Sequence, residues 1–403
     1  MTQVVAQTAI QLLTELGQFG GLANGGVTRL VYDQAWVDAM TYTLKTAEVQ
    51  GMQVHIDAMG NGFMTYPGVD QTVIAAGSHL DTVQQGGIYD GAYGVVAAKL
   101  AMTQLVAEFG QPKHTMTAVA FSEEEGSRFP VSFSGSRHYA QVGDVAPDLK
   151  DAQGISFDTA RRQALAQLTA NFTRVEQPLP KEWLELHIEQ GPVLEEAGYP
   201  LGVVSAICEQ KRFTITLTGQ ANHAGTTPQH LRRDALKAAA RLIVQLDDLA
   251  ERMGEPFVFT VGEISVTPGS SNVIPGQAVF SVDIRHPQKT MVDAFEAKMR
   301  QMVADLTPVS GTVDCWMDSR PAVMDPRLVR QFDSLLTQHG YQYLTLPSGA
   351  GHDTQIMNLK VPTAMLFVSS RGGISHAPAE YTAPAALEAG VAMLKAQLYH
   401  ECY

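Results

Sequence analysis

The sequence predicts an α/β fold: a mixed, largely parallel sheet with a smaller α+β domain inserted into it. Three observations predict this. Short apolar runs at 73–76, 116–121, 184–188 and 364–368 have the length of buried strands. Helical patterns lie between some of them, and strands alternating with helices build parallel sheets. The stretch 209–320 instead carries a strand-and-helix order of its own.

Taken in order, residues 1–16 (MTQVVAQTAIQLLTEL) read as an amphipathic helix. They lack a basic region and include Glu15, so they do not read as a signal peptide. A helix is expected over 94–109. The longest apolar stretch, 92–109, is interrupted by Lys99, Gln104 and Glu108, which argues against a membrane span. Each apolar run is followed by a polar, mostly glycine-bearing segment: GSHLDTV, SEEEGSRF, EQG and GGISHAPAE. Ligands of open α/β sheets bind beyond the carboxyl ends of the strands, so four loaded loops at four strand ends point to one site.

Within the insert, 211–218 alternates like a half-exposed strand and 230–252 is helical. Strands at 257–266 and 278–285 are joined through TPGSSNVIPG; 287–306 is helical and 311–317 is a last strand. The order β-α-β-β-α-β is that of a ferredoxin-like unit. The expected division is therefore a catalytic domain of residues 1–208 and 321–403, with 209–320 as the insert.

A chain of 403 residues suits two or three domains, and 45% hydrophobic with 17% charged residues suits a compact globular protein. The net charge of −13 argues against nucleic acid and anionic membrane as partners. Cys208, Cys315 and Cys402 are odd in number, far apart and form no CxxC pair. They read as reduced thiols of a cytoplasmic protein. There is no internal repeat or low-complexity tract.

The chemistry concentrates at the strand ends. GSHLDTVQQGGIYDGAYG supplies His79, Asp81 and, eleven residues after His79, Asp90 among glycines. FSEEEG supplies Glu123, Glu124 and Glu125; ELHIEQG supplies His187; GISHAPAE supplies His376. A lone histidine at a strand end, or a glutamate run at a helix start, is ordinarily structural. Four such loops together are not. Three histidines and at least two carboxylates suffice for two ions about 3.5–4 Å apart sharing a carboxylate.

With these motifs assembled, the chain resembles the two-metal aminopeptidase-like amidohydrolases of the peptidase M20 type. It is most similar to their hydantoinase/carbamoylase branch, which holds allantoate amidohydrolases, N-carbamoyl-L-amino acid hydrolases and β-ureidopropionases. The motifs GSHLDT, EEEGSRF, ELHIEQG, NHAGTTP, SNVIPG, SGAGHD and SHAPAE occur in the family's order across nearly the whole chain. The resemblance implies a zinc-aminopeptidase-like catalytic domain and an inserted dimerisation and lid domain. It makes His79, Asp90 and His187 ligands of a first ion, with Asp90 the shared carboxylate, and Glu125 and His376 the completion of a second site. Asp81 holds His79 in its ligating tautomer. Counted back from Gly126, Glu124 is the general base and Glu123 is extra. The ions are Mn²⁺ or Zn²⁺, and the ligand set also suits Co²⁺ and Ni²⁺.

The substrate residues implied are His223, Asn272 and Arg285 from the insert, with Gln190 and His352 from the larger domain. Arg285 can clamp a carboxylate bidentately, and His223 can donate to a developing oxyanion. The resemblance also implies a homodimer through the insert, with His223 acting in the other subunit's site. All ligands and the base are present, which disfavours a metal-free scaffold reading. The substrate expected is a small anionic ureido compound. EEEGSRFP, NHAGTTP and SGAGHDTQ resemble allantoate enzymes, which release ammonia and CO₂ to leave ureidoglycine in purine degradation. Hydrolysis of N-carbamoyl-L-amino acids is the alternative.

Overall fold

The computed structural model describes residues 7–143 and 145–403 and divides the chain into two compact units. One comprises Met1–Ser205, Met324–Leu346 and Ala350–Tyr403; the other comprises Ala206–Val323 and Pro347–Gly349. Residues 1–6 of the expected first helix lie outside the described residues. The helix that follows spans Ala9–Leu16, and Thr8 and Gln11 close its first turn with a reciprocal capping box. Among the described residues no helix is long and apolar enough to cross a membrane.

The first unit is built on a mixed sheet whose centre is parallel. The four central strands lie in the order Thr115–Phe121, Val73–His79, Glu182–Ile188 and Thr363–Val368, all parallel. Antiparallel strands flank them: Gly62–Tyr66 and then Gln53–Ile56 on one side, Leu201–Ile207 on the other. The central strands are buried on both faces, which is why they appear in sequence as unbroken apolar runs and not as alternation. The helix Ala92–Phe109 is likewise buried around most of its circumference, Lys99 included. The Lys99 ammonium donates to Thr46 Oγ1 at 2.7 Å, and burial pushes its pKa down to about 8.

The central strands deliver chemistry at their carboxyl ends. His79 is the last residue of its strand, and His187 the last but one of the neighbouring strand. The triple glutamate follows Phe121, and the His376 loop follows Val368.

The second unit has a five-stranded antiparallel sheet in the order Ile264–Thr267, Gln277–His286, Glu209–Thr218, Ser310–Ser319, with Val258–Thr260 also paired to Gln277–His286. Its apolar residues alternate: Phe213, Ile215, Leu217, Phe280 and Val282 pack with the helices Ala235–Met253 and Lys289–Ala304. The single strand expected over 257–266 is broken. Thr260 pairs with Asp283 and Ile264 with Phe280, so three residues face two. The extra residue makes a bulge at Gly262, held by Ser281, which exchanges hydrogen bonds with Glu263.

Candidate metal centre

Asp90 is the hub of the first unit's strand-end loops. Its Oδ1 lies 3.5 Å from His79 Nε2 and 3.3 Å from His187 Nε2. Its Oδ2 lies 3.2 Å from His376 Nε2. Glu125 Oε2 stands 3.7 Å from the same His376 nitrogen. Two candidate ligand groups result, His79–Asp90–His187 and Asp90–Glu125–His376, each with its donor atoms within 4.8 Å of one another, and they share Asp90.

The histidine tautomers suit ligation. His79 Nδ1 lies 3.1 Å from the Asp81 carbonyl and 3.3 Å from Asp81 Oδ1. His187 Nδ1 lies 2.9 Å from the Ile188 carbonyl. Each Nδ1 therefore carries the proton, and each Nε2 keeps its lone pair towards Asp90. Gly91 N–H donates to His187 Nε2 at 3.2 Å, which agrees with that assignment. Gly91 is needed for a second reason. It has φ +62°, and a Cβ there would stand 2.4 Å from the His79 ring. Gln190 and His376 also adopt left-handed backbone, at φ +58° and +56°. Strain of this kind clusters where side chains must be aimed.

Buried negative charge dominates the site. Burial pushes the Glu124 carboxyl well above the usual range, with Glu125 adding to it, and raises Glu125 to about 8 with Asp90 adding. Burial also opposes ionisation of Asp90, but the close approach of the His187, His376 and His79 rings outweighs it and holds Asp90 well below its ordinary value. The Asp90 contact lifts His376 to about 9. Burial holds His352 well below its ordinary value. Among the described residues, histidines are the only ion-pair partners of Asp81, Asp90 and Glu125. Glu125 Oε1 is buried without a hydrogen-bond partner. A carboxylate-rich, lysine-free donor set with an orphaned oxygen fits divalent cations.

The three glutamates separate by role. Glu123 turns away: its oxygens accept from Gly126 N–H at 2.5 Å, Ser134 N–H at 3.2 Å and the Ser134 hydroxyl at 2.6 Å. Glu124 and Glu125 face His79. Gln190 donates Nε2 to Asp90 Oδ2 at 2.7 Å, which leaves its Oε1 buried and unpartnered. His352 packs edge-on against His187, ring centroids 4.5 Å apart.

The other three sequence candidates belong to the second unit. His223 is exposed, on the short strand Asn222–His223 paired with Val273–Ile274, and the Asn272 carbonyl accepts from Ala224 N–H at 3.0 Å. Those two are neighbours. Arg285 is engaged elsewhere. Its guanidinium is bidentate on Asp283, at 2.9 and 3.0 Å, and donates to the Gly349 carbonyl at 2.7 Å.

Sequence reasoning missed four residues around this cluster, three of them buried and Ser375 half-buried. Glu185 accepts from the Ser78 hydroxyl and from Thr354, and shares a possible ligand group with His187 and His352. Asp353 is fully buried, and among the described residues neither of its carboxylate oxygens has a hydrogen-bond partner. Ser375 and Glu380 adjoin Asp90. All four lie in ELHIEQG, SGAGHD or SHAPAE, motifs read for other residues; the available signal was a charge inside an apolar run for Glu185 and polarity in the strand-end motifs for the others.

The chain is 39% identical over 395 residues to an allantoate amidohydrolase of Bacillus subtilis, covering 96% of each chain. It is 37% identical over 382 residues to an N-carbamoyl-L-amino acid amidohydrolase of Geobacillus stearothermophilus, covering 92% of each. A crystal structure of a hydantoinase/carbamoylase-family amidase from Burkholderia multivorans superposes with a TM-score of 0.91 at 31% identity, covering 97% of this chain and 96% of that one. The model of peptidase family M20/M25/M40 matches residues 75–400, and with a matching sheet and relatives of nearly equal length the chain belongs to that family.

Proposed function

We propose that this chain hydrolyses allantoate with two divalent ions, Mn²⁺ or Zn²⁺, and releases ammonia and CO₂ to leave ureidoglycine. The observation that carries the reading is the division of Asp90. One buried carboxylate turns Oδ1 to His79 and His187 and Oδ2 to His376, with Glu124 buried beside it. When bound, such an ion pair polarises the substrate carbonyl and acidifies the attacking water. Glu124, in the carboxylate form that cations in the site would favour, takes a proton from that water and passes it to the departing nitrogen. The ureido C–N bond breaks, ammonia leaves, and the carbamic acid left behind loses CO₂.

The remaining residues orient the substrate. Gln190 spends its amide nitrogen on Asp90, so its free oxygen is an acceptor for a ureido N–H. His223 serves as oxyanion donor and Asn272 as an amide partner. Arg285 takes the substrate carboxylate in place of Asp283. A homodimer through the second unit completes the reading. Its support is the apolar surface of that unit, where Leu231, Val244 and Ile264 are exposed, and the unpaired outer edge of Ile264–Thr267.

The second reading, an N-carbamoyl-L-amino acid hydrolase, is favoured by the nearly equal identity to that relative, 37% against 39%. Ammonia release from allantoate, N-carbamoyl-methionine, N-carbamoyl-alanine and 3-ureidopropionate, with metal content measured on the same sample, tests both. Allantoate is expected to have the highest kcat/KM, and chelation to abolish turnover. A carbamoyl amino acid preferred by about tenfold, about 1.4 kcal/mol of transition-state binding, would exchange the two readings.

A further inference from the structure

We infer that Glu380 is a positioning residue: through Ser375 and the backbone of the Asp90 loop it sets the shared carboxylate and thereby holds the ion on the His376 side of the pair. The inference rests on the two-metal reading above.

Glu380 is buried, at 6% exposure, and has no ion-pair partner among the described residues. Its Oε1 accepts the backbone N–H groups of both Tyr89 and Asp90, each at 3.1 Å. Its Oε2 accepts the Ser375 hydroxyl at 2.9 Å. That same hydroxyl lies 3.1 Å from Asp90 Oδ2, the oxygen facing His376. Glu380 thus grips the Asp90 loop by its backbone and reaches the Asp90 side chain through one serine. The loop also rests directly on the carboxylate: a Cβ on Gly87 would stand 2.1 Å from Glu380 Oε1.

Two features set this apart from ordinary loop fastening. A carboxylate buried next to the Asp90 carboxylate works against folding unless positive charge lies nearby, and the His376 ring and cations bound in the site both supply it. A hydroxyl also has only one proton, and here two carboxylates compete for it. Positive charge at Asp90 Oδ2 turns that proton towards Glu380. This fastens Ser375, and with it the strained backbone of His376, as the site fills.

The test compares the full-length wild type with Glu380→Gln, Ser375→Ala, the double variant and Gly87→Ala. Each is loaded with Mn²⁺ or Zn²⁺ and read by metal stoichiometry, by titration against a chromophoric chelator and, after Co²⁺ loading, by visible absorption. Wild type is expected to hold two ions. Each variant should bind the first ion within about twofold of wild type and the second about tenfold or more weakly. Melting of metal-free Glu380→Gln should be no lower than wild type, and excess metal should restore kcat. The double variant should be no weaker than the weaker single, because the two residues act in series. Second-ion affinity within about twofold of wild type in Glu380→Gln overturns the inference alone. So does loss of both ions together with cooperative melting, which is what a merely structural residue would give. If Glu380→Gln does not fold, Ser375→Ala carries the test, and unchanged second-ion affinity there overturns it. A wild type that binds no metal overturns the two-metal reading and this inference with it.

Discussion

Asp81 Oδ1 lies 3.3 Å from His79 Nδ1, with both side chains almost completely buried. The same carboxylate accepts the backbone N–H of Glu124 at 3.0 Å and of Glu125 at 3.3 Å. One side chain therefore sets the ring of one candidate ligand and the backbone of the candidate base and of another ligand. Asp81→Asn keeps the shape but turns an N–H towards groups that are themselves donors. Metal affinity and kcat are expected to fall about 10–100-fold with the fold retained. Metal titration and steady-state kinetics on one sample check this. Unchanged values would leave the Asp81 carbonyl, 3.1 Å from Nδ1, as the sole guide of the ring.

The glutamate run gives a paired prediction. Glu124→Gln removes the base and spares the ligand atoms, so both ions should stay while kcat falls about 10²–10⁴-fold. Glu123→Gln should instead disturb the fastening to Ser134, costing about 1–3 kcal/mol of stability and leaving kcat within a few-fold. Kinetics, metal content and denaturation of both variants decide it. The reverse pattern would shift the register of the run by one residue.

The sequence made the central sheet legible because strands buried on both faces leave unbroken apolar runs, and each ended in a loop carrying His79, the glutamates, His187 or His376. The role of Glu123 was legible only as a remainder, since its partner Ser134 lies eleven residues on and no periodicity links them. Gly262 hid a bulge, because one extra residue leaves the apolar pattern of a strand almost intact. Glu380 escaped for a different reason: its partners Tyr89 and Asp90 are brought to it by the fold alone. The engagement of Arg285 by Asp283, two residues away on one strand, follows from their shared face, which alternation does predict.

Lys99 offers a prediction independent of the site. Its pKa is about 8 in the folded chain against 10.5 for an ordinary lysine, chiefly through burial, with Glu15 opposing. The folded chain thus binds this proton less tightly than the unfolded chain. Below about pH 8 the full cost of the buried charge is present; from there to 10.5 unfolding takes up a proton, so stability rises with pH. The cost is on the order of 3 kcal/mol. Lys99→Met should remove much of it, because the Thr46 hydroxyl keeps the Tyr42 and Thr43 carbonyls as partners. Denaturant midpoints at pH 7 and pH 10 should show the variant more stable at the lower pH and the difference shrinking at the higher. A variant less stable than wild type at pH 7 would mean that the aliphatic packing of Lys99 outweighs its charge.

The last prediction concerns which chain supplies His223. Its Nδ1 accepts the Gly225 N–H at 3.0 Å and the Thr226 N–H at 3.2 Å. The proton of the neutral ring therefore sits on Nε2, the donor form that an oxyanion requires. The ring is exposed in its own unit, available to a second copy of the chain. In a two-fold dimer where His223 crosses over, a His223→Ala chain paired with a Glu124→Gln chain has one site with both residues intact and one with neither. Each variant alone should be nearly inactive. Mixed by joint unfolding and refolding, or by co-expression with two affinity tags, half the dimers are hybrids, and the mixture should regain about a quarter of wild-type activity. If His223 acts in its own chain's site, every hybrid site lacks one of the two residues and no activity returns. Tag-purified hybrids without activity would therefore assign His223 to its own chain and remove the crossing, while leaving Asp90, Glu124 and the metal reading where they stand.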